Sequence, residues 1–214
     1  MKHRARILIA EDHNLVAELC RRLLEKEFEV IGAVSDGRAL VRAAVILTPD
    51  LIVLDIAMPI LNGLDAGRQV KRMLPAVKLV YLTMNTNADV AATALACGAS
   101  GYLLKTCAAA EMVLAVRQVL RGKIYLSRAL SHDTIKSLRS RHQGLVNANE
   151  RLTDRQREVL QLLAEGRVMK EIGDILQMTT RTVAYHKYRI MKVLGARSTA
   201  DLIKYAVRNH IVAA

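Results

Sequence analysis

Leu51-Ile52-Val53-Leu54-Asp55 sets four consecutive apolar residues against one carboxylate. A run this short and this apolar, entered from Pro49-Asp50, reads as a strand buried on both faces. That is the pattern of a parallel sheet, not of an antiparallel sheet with one wet face. Three other runs end the same way. Ile7-Leu8-Ile9-Ala10 leads into Glu11-Asp12, Val77 to Leu82 into Thr83, and Tyr102-Leu103-Leu104 into Lys105. Open α/β sheets bind ligands at the carboxyl ends of their strands, so three carboxylates, a hydroxyl and an ammonium are expected to converge on one sheet edge.

The same half of the chain alternates strand-like and helix-like segments through five rounds, with strands expected near 6–10, 29–34, 51–54, 77–82 and 101–104. Between them, Leu15, Leu19 and Leu23, or Met112, Val116 and Val119, recur every three or four residues and share one helix face. Strict βα alternation predicts an α/β fold over residues 1–122: a flavodoxin-like five-stranded parallel sheet with helices on both faces. Residues 123–149 lose this periodicity and read as a linker, with a helix over 128–138. From 150 to 214 the strands vanish. Thr153 offers an N-cap, Gly166 a stop, and helices near 169–176, 180–194 and 199–209 complete a small all-α domain of four helices.

A chain of 214 residues that is 52% hydrophobic can bury two cores. No apolar run approaches the roughly 18 residues of a membrane span, and Met1-Lys2-His3-Arg4 leads straight into a strand, so neither a membrane contact nor a signal peptide is expected. Cys20, Cys97 and Cys107 are odd in number and lack metal-ligand spacing, which suits a reducing compartment and places the protein in the cytoplasm. The net charge of +12 is unevenly spread: residues 181–214 carry seven basic side chains to one acidic. A polyanionic partner for the C-terminal domain follows.

Crowded carboxylates repel one another, and Mg²⁺ is the cation best suited to relieve them beside a phosphoryl group. Asp55 ends the most apolar run and is the candidate nucleophile, able to become an acyl phosphate. Glu11 and Asp12 form a pair suited to holding the metal. Thr83 can hydrogen-bond one phosphoryl oxygen and Lys105 can neutralise another. Taken singly, each has an ordinary explanation as a strand-end threonine, a surface lysine or helix-capping acids. Their joint occurrence at four strand ends favours the site.

These segments, with Asn62-Gly63-Leu64 and Gly98-Ala99-Ser100-Gly101, resemble the receiver domain of bacterial two-component response regulators over residues 5–122. The resemblance implies that Asp55 is the phosphoacceptor, that Glu11, Asp12 and the Ala57 carbonyl join it around Mg²⁺, and that Thr83 and Tyr102 form a conformational switch. In that switch Thr83 moves toward the phosphoryl and vacates space that Tyr102 fills. A sensor histidine kinase is the implied phosphoryl donor. Thr106 stands where many receivers have proline.

In the basic half, residues 170–176, the turn Gln177-Met178-Thr179 and residues 180–194 form a helix-turn-helix pattern whose second helix enters the major groove. On its helical wheel Val183, Ile190, Val193 and Leu194 point inward, while Arg181, Ala184, Tyr185, Tyr188 and Lys192 point outward. Residues 151–212 resemble the four-helix DNA-binding domain of the NarL/LuxR class. That resemblance makes Ala184, Tyr185 and Tyr188 base-facing and puts Arg181, Lys187, Arg189 and Lys192 nearer phosphates. His186 falls on the apolar flank and reads as a hydrogen-bonded structural residue.

The expected protein is a cytoplasmic transcriptional regulator, not an enzyme, that takes a phosphoryl group on Asp55 and binds double-stranded promoter DNA at paired half-sites as a homodimer. RNA polymerase is a further partner this reading allows. Two rivals differ in class: a phosphorylation-independent regulator using the receiver for dimerisation, and an Asp-nucleophile phosphatase. The phosphatase would need a second Asp where Ala57 stands.

Overall fold

The computed structural model describes residues 4–106, 109–127, 130 and 152–212; Cys107 and most of the segment 128–151, with the helix expected there, lie outside them. The N-terminal half alternates β1 (Arg6–Ala10), α1 (Asn14–Leu24), β2 (Glu29–Val34), α2 (Gly37–Leu47), β3 (Leu51–Asp55), α3 (Gly63–Met73), β4 (Lys78–Thr83), α4 (Ala88–Ala96), β5 (Gly101–Leu104) and α5 (Ala109–Leu120). The sheet order is β2-β1-β3-β4-β5, every pairing is parallel, and β3 is buried along its whole length. Alternate strand residues feed two cores. Leu8, Ile52, Leu54 and Tyr81 face α2, α3 and α4, while Ile7, Leu51, Val53 and Val80 face α1 and α5.

Register aligns the strand ends. Ala10 lies opposite Leu54, Leu54 opposite Tyr81, and Tyr81 opposite Tyr102, so Glu11, Asp55, Thr83 and Lys105 all emerge just beyond one row.

The sheet has six strands where five were expected. β6 (Tyr125–Leu126) adds in parallel beyond β5, the Ser127 N–H donates to the Tyr102 carbonyl at 2.8 Å, and Leu130 is buried in the core that holds Tyr102. Two residues carry no periodicity of their own. The strand exists because the open edge of β5 supplies the backbone partners.

The second domain comprises α6 (Asp154–Ala164), α7 (Met169–Leu176), α8 (Thr180–Leu194) and α9 (Thr199–Arg208) around Leu160, Ile172, Val183, Ile190 and Leu202. Thr153 and Gln156 form a capping box on α6, and the Thr179 hydroxyl accepts from the Thr182 N–H on α8. Past the end of α6, Gly166 adopts φ +81°, a left-handed conformation that glycine reaches without steric cost. Val193 departs from its expected inward place and is 37% exposed. It sits about 80° round the wheel from the Val183–Ile190 axis, at the edge of the buried arc.

Candidate functional site

The residues expected at four strand ends meet. Lys105 Nζ donates to Glu11 Oε1 at 2.8 Å and to Asp55 Oδ2 at 2.9 Å. Asp55 is 3% exposed and its Oδ1 accepts from the Ala57 N–H at 3.2 Å. Glu11, Asp12, His13 and Asp55 each bring a ligand-type atom within 4.8 Å of the others. Glu11 Oε2 is buried with no hydrogen-bond partner among the described residues. A carboxylate oxygen held that way costs energy unless something cationic or donating meets it.

Burial alone would lower the Lys105 ammonium, but its hydrogen bonds to Glu11 and Asp55 and the charges of both outweigh it, so it stays above the usual lysine value. The site thus holds a permanent cation beside the nucleophile candidate. His13, given no role from sequence, sits 2.9 Å from Asp12 Oδ1 and 3.2 Å from Glu11 Oε1 through Nδ1. Only its adjacency to the acid pair could have signalled it.

Thr83 Oγ1 accepts from the Asn85 N–H at 3.1 Å, and the Tyr102 hydroxyl donates to the Asn85 carbonyl at 2.8 Å. Tyr102 is wholly enclosed, and burial raises its phenol above the ordinary tyrosine value. Its ring therefore already occupies the interior that the expected switch would have it enter.

Above Asp55 lies a cavity of about 830 Å³ whose far wall belongs to the second domain: Gln161 from α6, Glu165 just past its end, and Val207, His210, Ile211 and Val212 from the end of α9 and beyond. The two domains are docked through polar groups. Asn62 donates to Gln161 Oε1 through its N–H at 2.7 Å and its Nδ2 at 3.1 Å, and Gln161 Nε2 donates to the Met58 carbonyl at 3.0 Å. The Ile60 N–H donates to Glu165 Oε1 at 3.0 Å, and Arg38 to the Ile175 carbonyl at 3.0 Å. Arg157, 4% exposed, pairs with Asp65 at 2.6 Å, and Asp65 also holds Arg68.

Sequence reasoning missed these docking residues. A signal exists in hindsight: Gln156 to Leu163 are all buried, so α6 must cover a second surface with Arg157 and Gln161 as well as its own core with Val159 and Leu160. One turn in the loop is strained. Ile60 has φ +69°, costly for a β-branched residue, and the Leu61 N–H closes on the Pro59 carbonyl at 2.7 Å as a γ-turn. Ile60 also packs against the core of the second domain.

On α8, Arg181, Tyr185, Tyr188, Arg189 and Lys192 are exposed, with Tyr185 at 59% and Tyr188 at 65%, while Ala184 and Lys187 are half-buried. Among the described residues no hydrogen bond or ion pair ties this face to the first domain. Among the described residues His186 Nδ1 is buried without a partner, contrary to the hydrogen bond expected of it. Burial and the neighbouring Arg155 charge lower its imidazole below the usual histidine value.

Family comparison matches residues 7–117 to the response regulator receiver domain and residues 150–206 to the bacterial regulatory proteins of the luxR family. The transcriptional regulatory protein LiaR of Bacillus subtilis is 38% identical over 211 residues, covering 97% of this chain and 99% of its own. The solved RcsB response regulator of Salmonella typhimurium aligns over 97% of this chain and 98% of its own, at 25% identity and TM-score 0.61. An RcsB–DNA complex aligns over 97% and 99%, at 26% identity and TM-score 0.57. With both halves matched and a relative aligned along nearly its whole length, the chain belongs to the two-component response regulators that join a receiver to a LuxR-type DNA-binding domain.

Proposed function

We propose that the chain accepts a phosphoryl group on Asp55 from a sensor histidine kinase, in a Mg²⁺-dependent step, and thereby changes its binding to promoter DNA. The observation that carries this is the orphaned Glu11 Oε2 in a buried acid cluster that already pairs Asp55 with Lys105. That donor set fits a hard divalent cation. Glu11, Asp12, Asp55 and the Ala57 carbonyl would hold Mg²⁺, which when bound supplies charge neutralisation for the incoming phosphoryl oxygens.

The chain's own groups do the rest. An Asp55 oxygen attacks phosphorus, the bond to the donor nitrogen breaks with its electron pair, and the donor imidazole, already protonated on its other ring nitrogen, leaves neutral. Lys105 holds one phosphoryl oxygen by charge and Thr83 another by hydrogen bond. Ala57 and Asn85 border the route of hydrolytic water and set the lifetime of the acyl phosphate. For DNA, Tyr185 and Tyr188 with Ala184 would meet base edges, and Arg181, Lys187, Arg189 and Lys192 the phosphates. The related RcsB has been solved with DNA, which supports DNA binding by this domain. A homodimer on paired half-sites, formed on phosphorylation, completes the proposal, with the cytoplasm as its setting. Among the described residues no helix is long and apolar enough to cross a membrane.

The test is to measure molar mass and promoter affinity of the full chain with and without beryllofluoride and Mg²⁺. Tighter binding and a doubled mass that need both reagents support the proposal; indifference to both refutes it and leaves the constitutive regulator. Within the DNA surface, Lys192→Ala or Lys187→Ala is expected to weaken binding to all sequences alike and to lower the slope of log affinity against log salt by about one unit. Tyr185→Ala instead should change the order of preference among sequences. Electrophoretic or fluorescence titration at several salt concentrations separates the two behaviours, and unchanged binding in all three variants would remove α8 from the interface.

A further inference from the structure

We propose that Glu165, carried by the DNA-binding domain, senses the phosphoryl charge on Asp55, and that it acts through the strained turn at Ile60 and not through Tyr102. This rests on the acceptor reading above. Three observations support it.

First, Glu165 and Asp55 line one cavity, with Asp12 on the same side as Asp55. A phosphoryl group would bring about −1.5 to −2 charges into that shared space. Lys105 belongs to the receiver, where it now holds Glu11 and Asp55, and with the metal it would offset part of that charge from the receiver side, away from Glu165. His210 shares the wall with Glu165.

Second, Glu165 is tied to the loop that follows the phosphoacceptor. Its Oε1 accepts from the Ile60 N–H at 3.0 Å and from Gln161 Nε2 at 2.8 Å, and Gln161 in turn holds Met58 and Asn62. That one oxygen therefore secures both the γ-turn and the side chain clamping either side of it. Pushing the carboxylate away frees the Ile60 N–H, and the strained φ of Ile60 then relaxes at no further cost.

Third, the alternative route is already used up. Tyr102 is enclosed with its hydroxyl bonded to the Asn85 carbonyl while the domains are docked. The second domain rests on α2, α3 and the loop before α3, so an inward Tyr102 and a docked domain coexist.

The experiment uses the full chain at pH 8 as wild type, Glu165→Gln and Gln161→Leu. The glutamine variant keeps an acceptor oxygen for Ile60 but removes the charge. Fluorine NMR reports whether beryllofluoride sits at Asp55, and amide hydrogen exchange over residues 56–62 reports whether the loop is released. In wild type, beryllofluoride with Mg²⁺ is expected to raise exchange at Ile60 and Asn62 about tenfold, within the range of allosteric couplings. Glu165→Gln should give the same bound-fluoride resonance with little release, and Gln161→Leu should be released before any beryllofluoride is added. Release in Glu165→Gln equal to wild type overturns the sensor role while leaving the acceptor intact. Absence of the resonance in wild type overturns the acceptor reading itself, and the sensor with it.

Discussion

Exchanging Asp55 for asparagine is expected to leave the full chain with no phosphoryl label from a small phosphodonor, and with promoter affinity that no longer responds to that donor. An amide in place of the carboxylate lacks the negative charge, and with it the nucleophilic oxygen, needed to form an acyl phosphate. Two neighbours could in principle substitute. Glu11 keeps one oxygen on Lys105 and His13 and the other buried behind them. Asp12 does line the cavity, but it is the partly exposed member of the cluster and Lys105 does not reach it, so phosphoryl transfer there lacks the cation beside Asp55. Asp12→Asn should therefore keep the label while raising the Mg²⁺ concentration needed for half-labelling. Mass spectrometry after hydroxylamine treatment checks both. Stoichiometric label in the asparagine variant, mapped to Asp12, would reassign the acceptor.

How far this site could be read in advance follows from where its information lies. Glu11, Asp55, Thr83 and Lys105 are legible because each ends a short apolar run, and parallel register then forces such ends together. Once Leu51 to Leu54 are buried on both faces, the position of Asp55 is fixed by local pattern alone. The helices of the second domain are legible for the same reason, through Thr153, Thr179 and Gly166 at their ends. What stays hidden depends on surfaces meeting across long stretches of chain. β6 has two residues and exists only against the edge of β5. Gln161 and Arg157 look like ordinary polar positions of an amphipathic helix until the loop at Met58 to Asn62 and Asp65 of α3, about a hundred residues earlier, are laid over them. Tyr102 could be named as a switch by resemblance, but its enclosed position depends on Leu130 and neighbouring side chains that no motif contains.

The docked arrangement has one point at which a single change should undo it. Asp65→Ala removes the ion-pair partner of Arg157, whose side chain is 5% exposed and, among the described residues, has no other carboxylate. Leaving such a charge buried and unpaired costs about 3–5 kcal/mol. The remaining contacts across the interface are hydrogen bonds worth about 0.5–1.5 kcal/mol each, with Ile60 packed against the second core. The exposed Arg72–Asp154 pair adds little more. The penalty is thus comparable with several of these hydrogen bonds together, and Arg157 can escape it by moving into water with α6. Opening, not unfolding, is the cheaper response, since each domain keeps its own core. Small-angle scattering of Asp65→Ala should show a larger radius of gyration than wild type, and hydrogen exchange should rise at Ile60 and Asn62 while the centres of β3 and α8 stay protected. Asp65→Leu combined with Arg157→Leu gives the control that identifies the cause. It removes both charges at once, fills the space with apolar volume, and is expected to restore the compact form. A compact Asp65→Ala chain, or a double variant as open as the single one, would show that this ion pair does not decide docking.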